Sequence, residues 1–398
     1  MPFRYQGPAA VLASCAAIFF PGSFIFGFPG VMAAYWQETF DVSRADVGQT
    51  LFFVLAGAGI FMFLVGRLQE RIGTAWTTVI GALLYSTAAL LVSRATSIHG
   101  VYGWAFMVGS SSAFVYVPTL TVVQRWYPRW RGLYAGLVSM CFGISGALMA
   151  PLFNHLLGRL GFADMAASLG SFMFFVAILL APFIRPPAAP APVPNADNAT
   201  LMSLDGFQSL RTRSFWLLWA MFACVGAAGV SMVTLSAGYG LHVGLTMTQA
   251  LAILMAFNIT NGVSRLLSGF LSDITGRKIV MCTAFFAAGM AYYLLPFVSH
   301  VAAVSILAAV IGFAFGTLFA VSAPLVSDCF GMQHFGSIFG LVFTAFGFVS
   351  GAIGPWLGGY LLDVYPGNYH LVFGYMGSLL LVSAVMVWVI SPAVECTF

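Results

Sequence analysis

Long apolar runs alternate along this chain with short turns that are charged or rich in Pro and Gly. At about 20 residues per bilayer crossing, the runs separate into twelve predicted helices. They cover approximately 9–35, 47–69, 75–94, 100–124, 132–157, 164–185, 214–240, 247–272, 279–298, 301–326, 335–362 and 370–391. No stretch shows the alternating segments of about ten residues that a membrane β-barrel needs, so the expected class is an all-α membrane protein. The first run follows Arg4, but its 27 residues exceed the apolar core of about 7–15 residues of a signal peptide. It is expected to stay in the membrane.

One run differs from the others. Between Thr246 and Ser272, the residues Asn258, Asn261, Arg265, Ser268 and Ser272 recur at helical spacing and form a polar stripe. Ile259, Val263, Leu266, Leu267 and Phe270 lie off it. Arg265 is the one Lys or Arg that lies away from the ends of a long apolar run. A guanidinium at bilayer depth costs about 2.5–3.5 kcal/mol by insertion scales, so it calls for a partner or a wet cavity. Two readings follow. Either the stripe is a wet face on which Arg265 takes an anionic group, or Arg265 snorkels to the interface and the asparagines bridge helices.

Composition supports the membrane reading, since the chain is 61% hydrophobic and 7% charged, against about 25% charged in soluble domains. The net charge of +4 reports topology rather than affinity for nucleic acid. With both termini in the cytoplasm, the inner segments hold Arg4, Arg67, Arg71, Arg125, Arg129, Arg131, Arg185, Arg211, Arg213, Arg277 and Lys278, against Arg44, Arg94 and Arg159 outside. Eleven against three fixes the expected orientation in the cell (inner) membrane. Tyr35 and Trp36 read as interface-belt aromatics. The six cysteines stand singly, without ligand spacing, and read as packing residues, and Cys396 is third from the end rather than fourth, so it makes no prenylation signal.

A Pro-rich polar stretch divides the chain, giving an N-terminal six-helix bundle at 1–185, a cytoplasmic linker at 186–212 and a C-terminal six-helix bundle at 213–398. The sequon Asn198-Ala199-Thr200 falls in this inner linker and reads as chance. The two halves echo each other. Gly66-Arg67-Leu68-Gln69-Glu70-Arg71-Ile72-Gly73 returns, shifted by 203, at Gly269 to Gly276, and Gly132, Gly136, Gly143 and Pro151 return, shifted by 204, at Gly336, Gly340, Gly347 and Pro355. Parallel repeats of this kind belong to transporters built from two related bundles.

The repeated turns resemble the loop motif of the major facilitator superfamily, Gly-x-Leu-x-Asp-Arg-x-Gly-Arg-Arg. The second copy keeps Gly269, Leu271, Asp273, Gly276, Arg277 and Lys278, with Ile274 in place of the first Arg; in the first copy Thr74 and Ala75 replace the basic pair. The resemblance implies a cytoplasmic gate motif at Gly66, Glu70, Arg71, Gly269, Asp273 and Arg277, with a carboxylate set against a helix end.

Three stretches resemble the monocarboxylate transporter family and its bacterial relatives. They are Phe24-Ile25-Phe26-Gly27 with Glu38 to Ala45, the basic and aromatic turn Arg125 to Gly136, and Asn261-Gly262-Val263-Ser264-Arg265 followed by Gly269 and Asp273. The last is similar to the family's Asp-x-x-x-Arg-x-x-x-Gly-x-x-x-Asp. The resemblance implies a secondary transporter of small monocarboxylates such as lactate or pyruvate, by proton-coupled symport and alternating access, with Arg265 on the substrate carboxylate. Asn261 stands where the family has its proton-partner Asp, and none of the eleven acids falls in mid-span, so the proton's carrier would be the substrate itself or a distant acid such as Asp328 or Asp363. Anion exchange of the oxalate–formate type is the alternative. In those related exchangers a Lys in span eleven pairs with a second carboxylate, whereas 334–362 holds no Lys or Arg here.

Asn258, Tyr116, Phe142 and Ser145 complete the candidate substrate-binding set, each open to a packing role as well. No Gly-x-Ser-x-Gly elbow, paired carboxylates, nucleotide-binding loop or ligand cluster occurs in the spans, so neither an enzyme nor a cofactor or metal is expected. The partners expected are a small organic monocarboxylate, a proton and the lipid bilayer, with no nucleic acid and no obligate protein partner.

Overall fold

The computed structural model describes residues 3–187 and 204–391; most of the linker, with its sequon, and Cys396 lie outside them. The described chain is helical, without strands. In order it forms α1 (Phe3–Phe26), α2 (Phe28–Phe40), α3 (Arg44–Ile72), α4 (Thr74–Val92), α5 (Ile98–Trp126), α6 (Arg131–Leu180) and the short α7 (Gly206–Ser209). Then come α8 (Arg213–His242), α9 (Met247–Thr275), α10 (Arg277–Leu294), α11 (Val301–Phe330), α12 (Phe335–Thr344), α13 (Leu357–Val364) and α14 (Tyr369–Val389). Between α12 and α13 the backbone widens into π-helical turns at Ala345–Ser350 and Ala352–Trp356.

Eleven helices among the described residues are long and apolar enough to cross a membrane. One of them, α6, has 50 residues and turns at Gly161, where φ is 73°. That left-handed backbone, which glycine adopts without a Cβ penalty, parts α6 into arms at 131–160 and 162–180, each of spanning length. The twelve predicted crossings are thereby accounted for.

Local chemistry sets the helix ends. Ser43 and Asp46 form a reciprocal capping box at the start of α3, and Thr246 and Gln249 do the same at the start of α9. Gly73 and Gly276, the repeated loop glycines, sit at φ 83° and 97° and hinge α3 to α4 and α9 to α10. The first predicted run differs from the structure, because it breaks at Gly27 and continues as α2 to Phe40.

Residue contacts group the chain into two units. Unit 1 holds Met1–Arg129, Val138–Ala199 and Met332–Gly340; unit 2 holds Trp130–Leu137, Thr200–Gly331 and Leu341–Phe398. The core of unit 1 is aromatic. Phe24 and Phe28 stack at 4.7 Å, and Trp104 lies 5.3 Å from Phe28 and 5.7 Å from Trp36. Trp36 is 0% exposed, which corrects its reading as a belt residue: α2 turns it inward onto Phe28 and Trp104. Tyr35 is half-buried and stacks on Phe162 at 4.9 Å.

Candidate functional site

In unit 2 the part of the α9 polar stripe formed by Arg265, Ser268 and Ser272 is buried, and its apolar flank, led by Ile259 and Val263, is exposed. Most of the stripe satisfies itself. Ser264, Ser268 and Ser272 donate to carbonyls of their own helix at Asn261, Ser264 and Gly269. Asn258 is exposed, two turns before Arg265. Arg265 is 2% exposed, and its Nε and Nη2 both donate to Oδ1 of Asn261 at 3.4 Å. Its guanidinium carbon lies 4.8 Å from the ring centre of Phe319, a cation–π distance.

Phe319 comes from α11, and two glycines allow the approach. A Cβ on Gly312 would lie 2.2 Å from the Phe257 carbonyl oxygen, and one on Gly316 would lie 2.2 Å from that of Asn261. The rings continue beyond the cation. Phe319 meets Phe315 at 5.1 Å and Phe346 at 5.2 Å, both edge-on, and Phe343 lies 5.5 Å from Phe346. A planar fork of donors held by an amide and a ring suits bidentate capture of a carboxylate. The neighbouring phenylalanines suit an apolar remainder.

In unit 1 Tyr116 and Phe142 come together, their ring centres 5.4 Å apart. Tyr116 is buried and its hydroxyl is 2.9 Å from Oγ of Ser139, a residue that no motif in the sequence marks. Ser145 donates instead to the carbonyl of Phe142 on its own helix. The carbonyl of Phe142 would lie 2.3 Å from a Cβ on Gly22, so α1 and α6 meet closely there.

Each copy of the loop motif has its own chemistry. In unit 2, Asp273 accepts the backbone N–H of Gly132 at 2.9 Å and that of Leu133 at 2.7 Å, sitting on the first turn of α6. Arg277 donates to Asp273 and, through Nε, to Asp328 at 3.1 Å; Arg131 reaches the same Asp328 at 3.2 Å. Two guanidinium groups thus engage Asp328, one of the two distant acids that the sequence offers as a proton carrier. In unit 1, Glu70 accepts from Ser337 at 2.8 Å and meets Nδ1 of His334 at 3.1 Å. Gly66 and Gly269 mark helix crossings, since Cβ atoms there would lie 2.1 Å from the Gly336 oxygen and 2.3 Å from the Gly132 oxygen. Arg71 is exposed.

The family model described as Major Facilitator Superfamily matches residues 12–268 and 228–395. An oxalate:formate antiporter of Oxalobacter formigenes is 26% identical over 285 residues, covering 70% of this chain and 67% of that protein. Monocarboxylate transporter 13 of Rattus norvegicus is 24% identical over 384 residues, covering 91% and 85%. Among solved structures, the proton:xylose symporter XylE bound to 6-bromo-6-deoxy-D-glucose superposes with a TM-score of 0.73 at 14% identity, covering 98% of this chain and 96% of its own. With its twelve crossings, its duplicated loop motif and a family match over most of its length, this chain belongs to the major facilitator superfamily of membrane transporters.

Proposed function

We propose that the chain is a secondary active transporter of small monocarboxylates, working by alternating access, with Arg265 as the group that takes the substrate carboxylate. The observation that carries this reading is a guanidinium buried to 2% exposure and oriented by an amide oxygen and an aromatic ring. An amide and a ring orient the fork, and a planar guanidinium matches a carboxylate bidentately. Asn261 orients the fork, and Phe319 flanks it. Asn258, Tyr116, Phe142 and Ser145 are the further candidates for contact with substrate. The excess of arginine on one set of loops supports cytoplasmic termini.

Uptake of labelled lactate into proteoliposomes holding only this protein tests the reading. Saturable uptake that pyruvate competes away is expected; no uptake of lactate, pyruvate or formate above protein-free vesicles would overturn it.

A second reading, exchange of organic anions, draws on one residue. Asn261 occupies the position where the monocarboxylate family has a carboxylate, so the residue one turn from Arg265 cannot neutralise it when substrate is absent. The likeness to an oxalate:formate antiporter supports the same mode. Proton symport remains the leading mode by resemblance. Uptake driven by internal lactate rather than by a proton gradient distinguishes exchange from symport.

A further inference from the structure

The two copies of the loop motif end on different chemistry. In unit 2, Asp273, Arg277, Asp328 and Arg131 form a chain of carboxylates and guanidinium groups without a histidine. In unit 1, Thr74 stands where Arg277 stands in the other copy, shifted by 203. Glu70 is one methylene longer than Asp273, and it meets side chains: His334 at 3.1 Å and Ser337 at 2.8 Å. An arginine in one repeat is answered by an imidazole in the other.

Water reaches this pair. The side chains of Glu70 and His334 are each 28% exposed. They line a cavity of about 390 Å³ together with Gln69, Thr121, Arg125 and Gln333. Arg125, also on the cavity wall, donates to the carbonyl of Met332 at 3.1 Å and stays cationic at neutral pH. On α3 itself, Arg67 lies over the ring of Phe63 at 5.4 Å and Arg71 is exposed. Thr74 donates to the carbonyl of Ile184 and brings no charge. Among the described residues lining this cavity, His334 is the one of the type that changes charge between about pH 5 and 8.

We propose that Glu70 and His334 form a proton-binding site that fastens the segment Met332–Gly340 to the end of α3. With a proton on His334 the contact is an ion pair with a charge-assisted hydrogen bond, roughly twice as strong as a neutral one. Without it, a neutral hydrogen bond remains. Histidine is the side-chain type that gains its proton between about pH 8 and 5, so the fastening is expected to be stronger at pH 6 than at pH 8. His334 immediately precedes α12, so moving the start of that helix away from α3 parts Glu70 from His334 and Ser337. A pH response arises here without any carboxylate in mid-span, and it does not depend on the identity of the substrate.

The test is a double-mutant cycle on the full chain in detergent: wild type, Glu70→Gln, His334→Gln and the double variant, with thermal midpoints taken at pH 6 and pH 8. The non-additive part of the Tm change is expected to be at least about twofold larger at pH 6. In a His334→Arg background it should be equal at the two pH values. A coupling that is the same at both pH values with His334, or one that still varies with Arg there, would overturn the proposal. Should a variant fold poorly, the wild type alone gives a second measurement. Amide exchange at 334–340, corrected for intrinsic pH dependence, is expected to be slower at pH 6 than at pH 8, and equal protection would reject the site.

Discussion

One amide oxygen, Oδ1 of Asn261, accepts from both Nε and Nη2 of Arg265 at 3.4 Å. The two residues lie one helical turn apart on α9, so the contact needs no other element to form it. It is long for a hydrogen bond, and an amide brings no charge of its own. Phe319 stacks against the same group at 4.8 Å. These two neighbours thus orient the cation without neutralising it.

Replacing Arg265 should separate charge from geometry. Arg265→Ala removes both, and Arg265→Lys keeps the charge but loses the planar fork and the stack on Phe319. Both variants are expected to reach the membrane and to lose transport by about tenfold or more, as for about 1.4 kcal/mol or more of lost binding. Uptake into proteoliposomes at matched protein content is the measurement. Near-normal uptake by the alanine variant would reject the assignment.

Gly316 offers a test at a distance from the charge. A methyl group there would press to 2.2 Å from the Asn261 carbonyl oxygen and 2.0 Å from Oγ of Ser264. Gly316→Ala must therefore push α11 from α9, separating Phe319 from Arg265 and costing about 1–3 kcal/mol of stability. A lowered thermal midpoint and weaker substrate affinity are expected together. At Gly262 a methyl group would meet no atom within 4 Å, which makes this position the control: Gly262→Ala should change neither by comparison.

Much of the fold can be read from the chain because hydropathy and breakers act locally. The spans and the turns at Gly73 and Gly276 follow from runs and motifs within a few residues. The break at Gly27 leaves the hydropathy unchanged, and its only local signal is Pro29 in the first turn of α2. The burial of Trp36 is hidden for a related reason: it depends on Trp104, far along the chain. Arg265 stands out because a lone charge in an apolar run is costly. Phe319 and Gly316 give no signal, being apolar and small residues in a helix full of both. His334 resembles an ordinary loop histidine, for its carboxylate partner lies 264 residues away.

Charge count makes the third prediction. The stretch 334–362 contains no Lys or Arg, so it offers no second cation of the kind found in the oxalate–formate exchangers. A dicarboxylate on Arg265 would carry its second charge into the membrane unpaired. Pyruvate is expected to compete with labelled lactate better than oxalate or malonate does. An apolar body should help, given Phe315, Phe343 and Phe346 beyond Phe319, so butyrate should also compete better than malonate. The reverse order would show that another group pairs with the second carboxylate.

The mode of coupling turns on Asn261. If Arg265 takes the substrate carboxylate as proposed, the loaded site carries one negative charge more than the empty one, so the two forms cross the membrane with different net charge. Return of the empty carrier should therefore be the slow step. Lactate preloaded on the far side is expected to accelerate uptake by more than an imposed inward proton gradient does, because every crossing is then loaded. Asn261→Asp places a carboxylate where the amide oxygen now sits, 3.4 Å from two guanidinium nitrogens. Ionised, that group neutralises Arg265 and competes with the substrate; protonated, it releases the cation for the anion. The variant should therefore bind substrate more weakly than wild type at high pH, recover as the pH falls, and respond more strongly to a proton gradient. A wild type driven strongly by the proton gradient and indifferent to internal lactate would place the coupling proton elsewhere than on the residue beside Arg265.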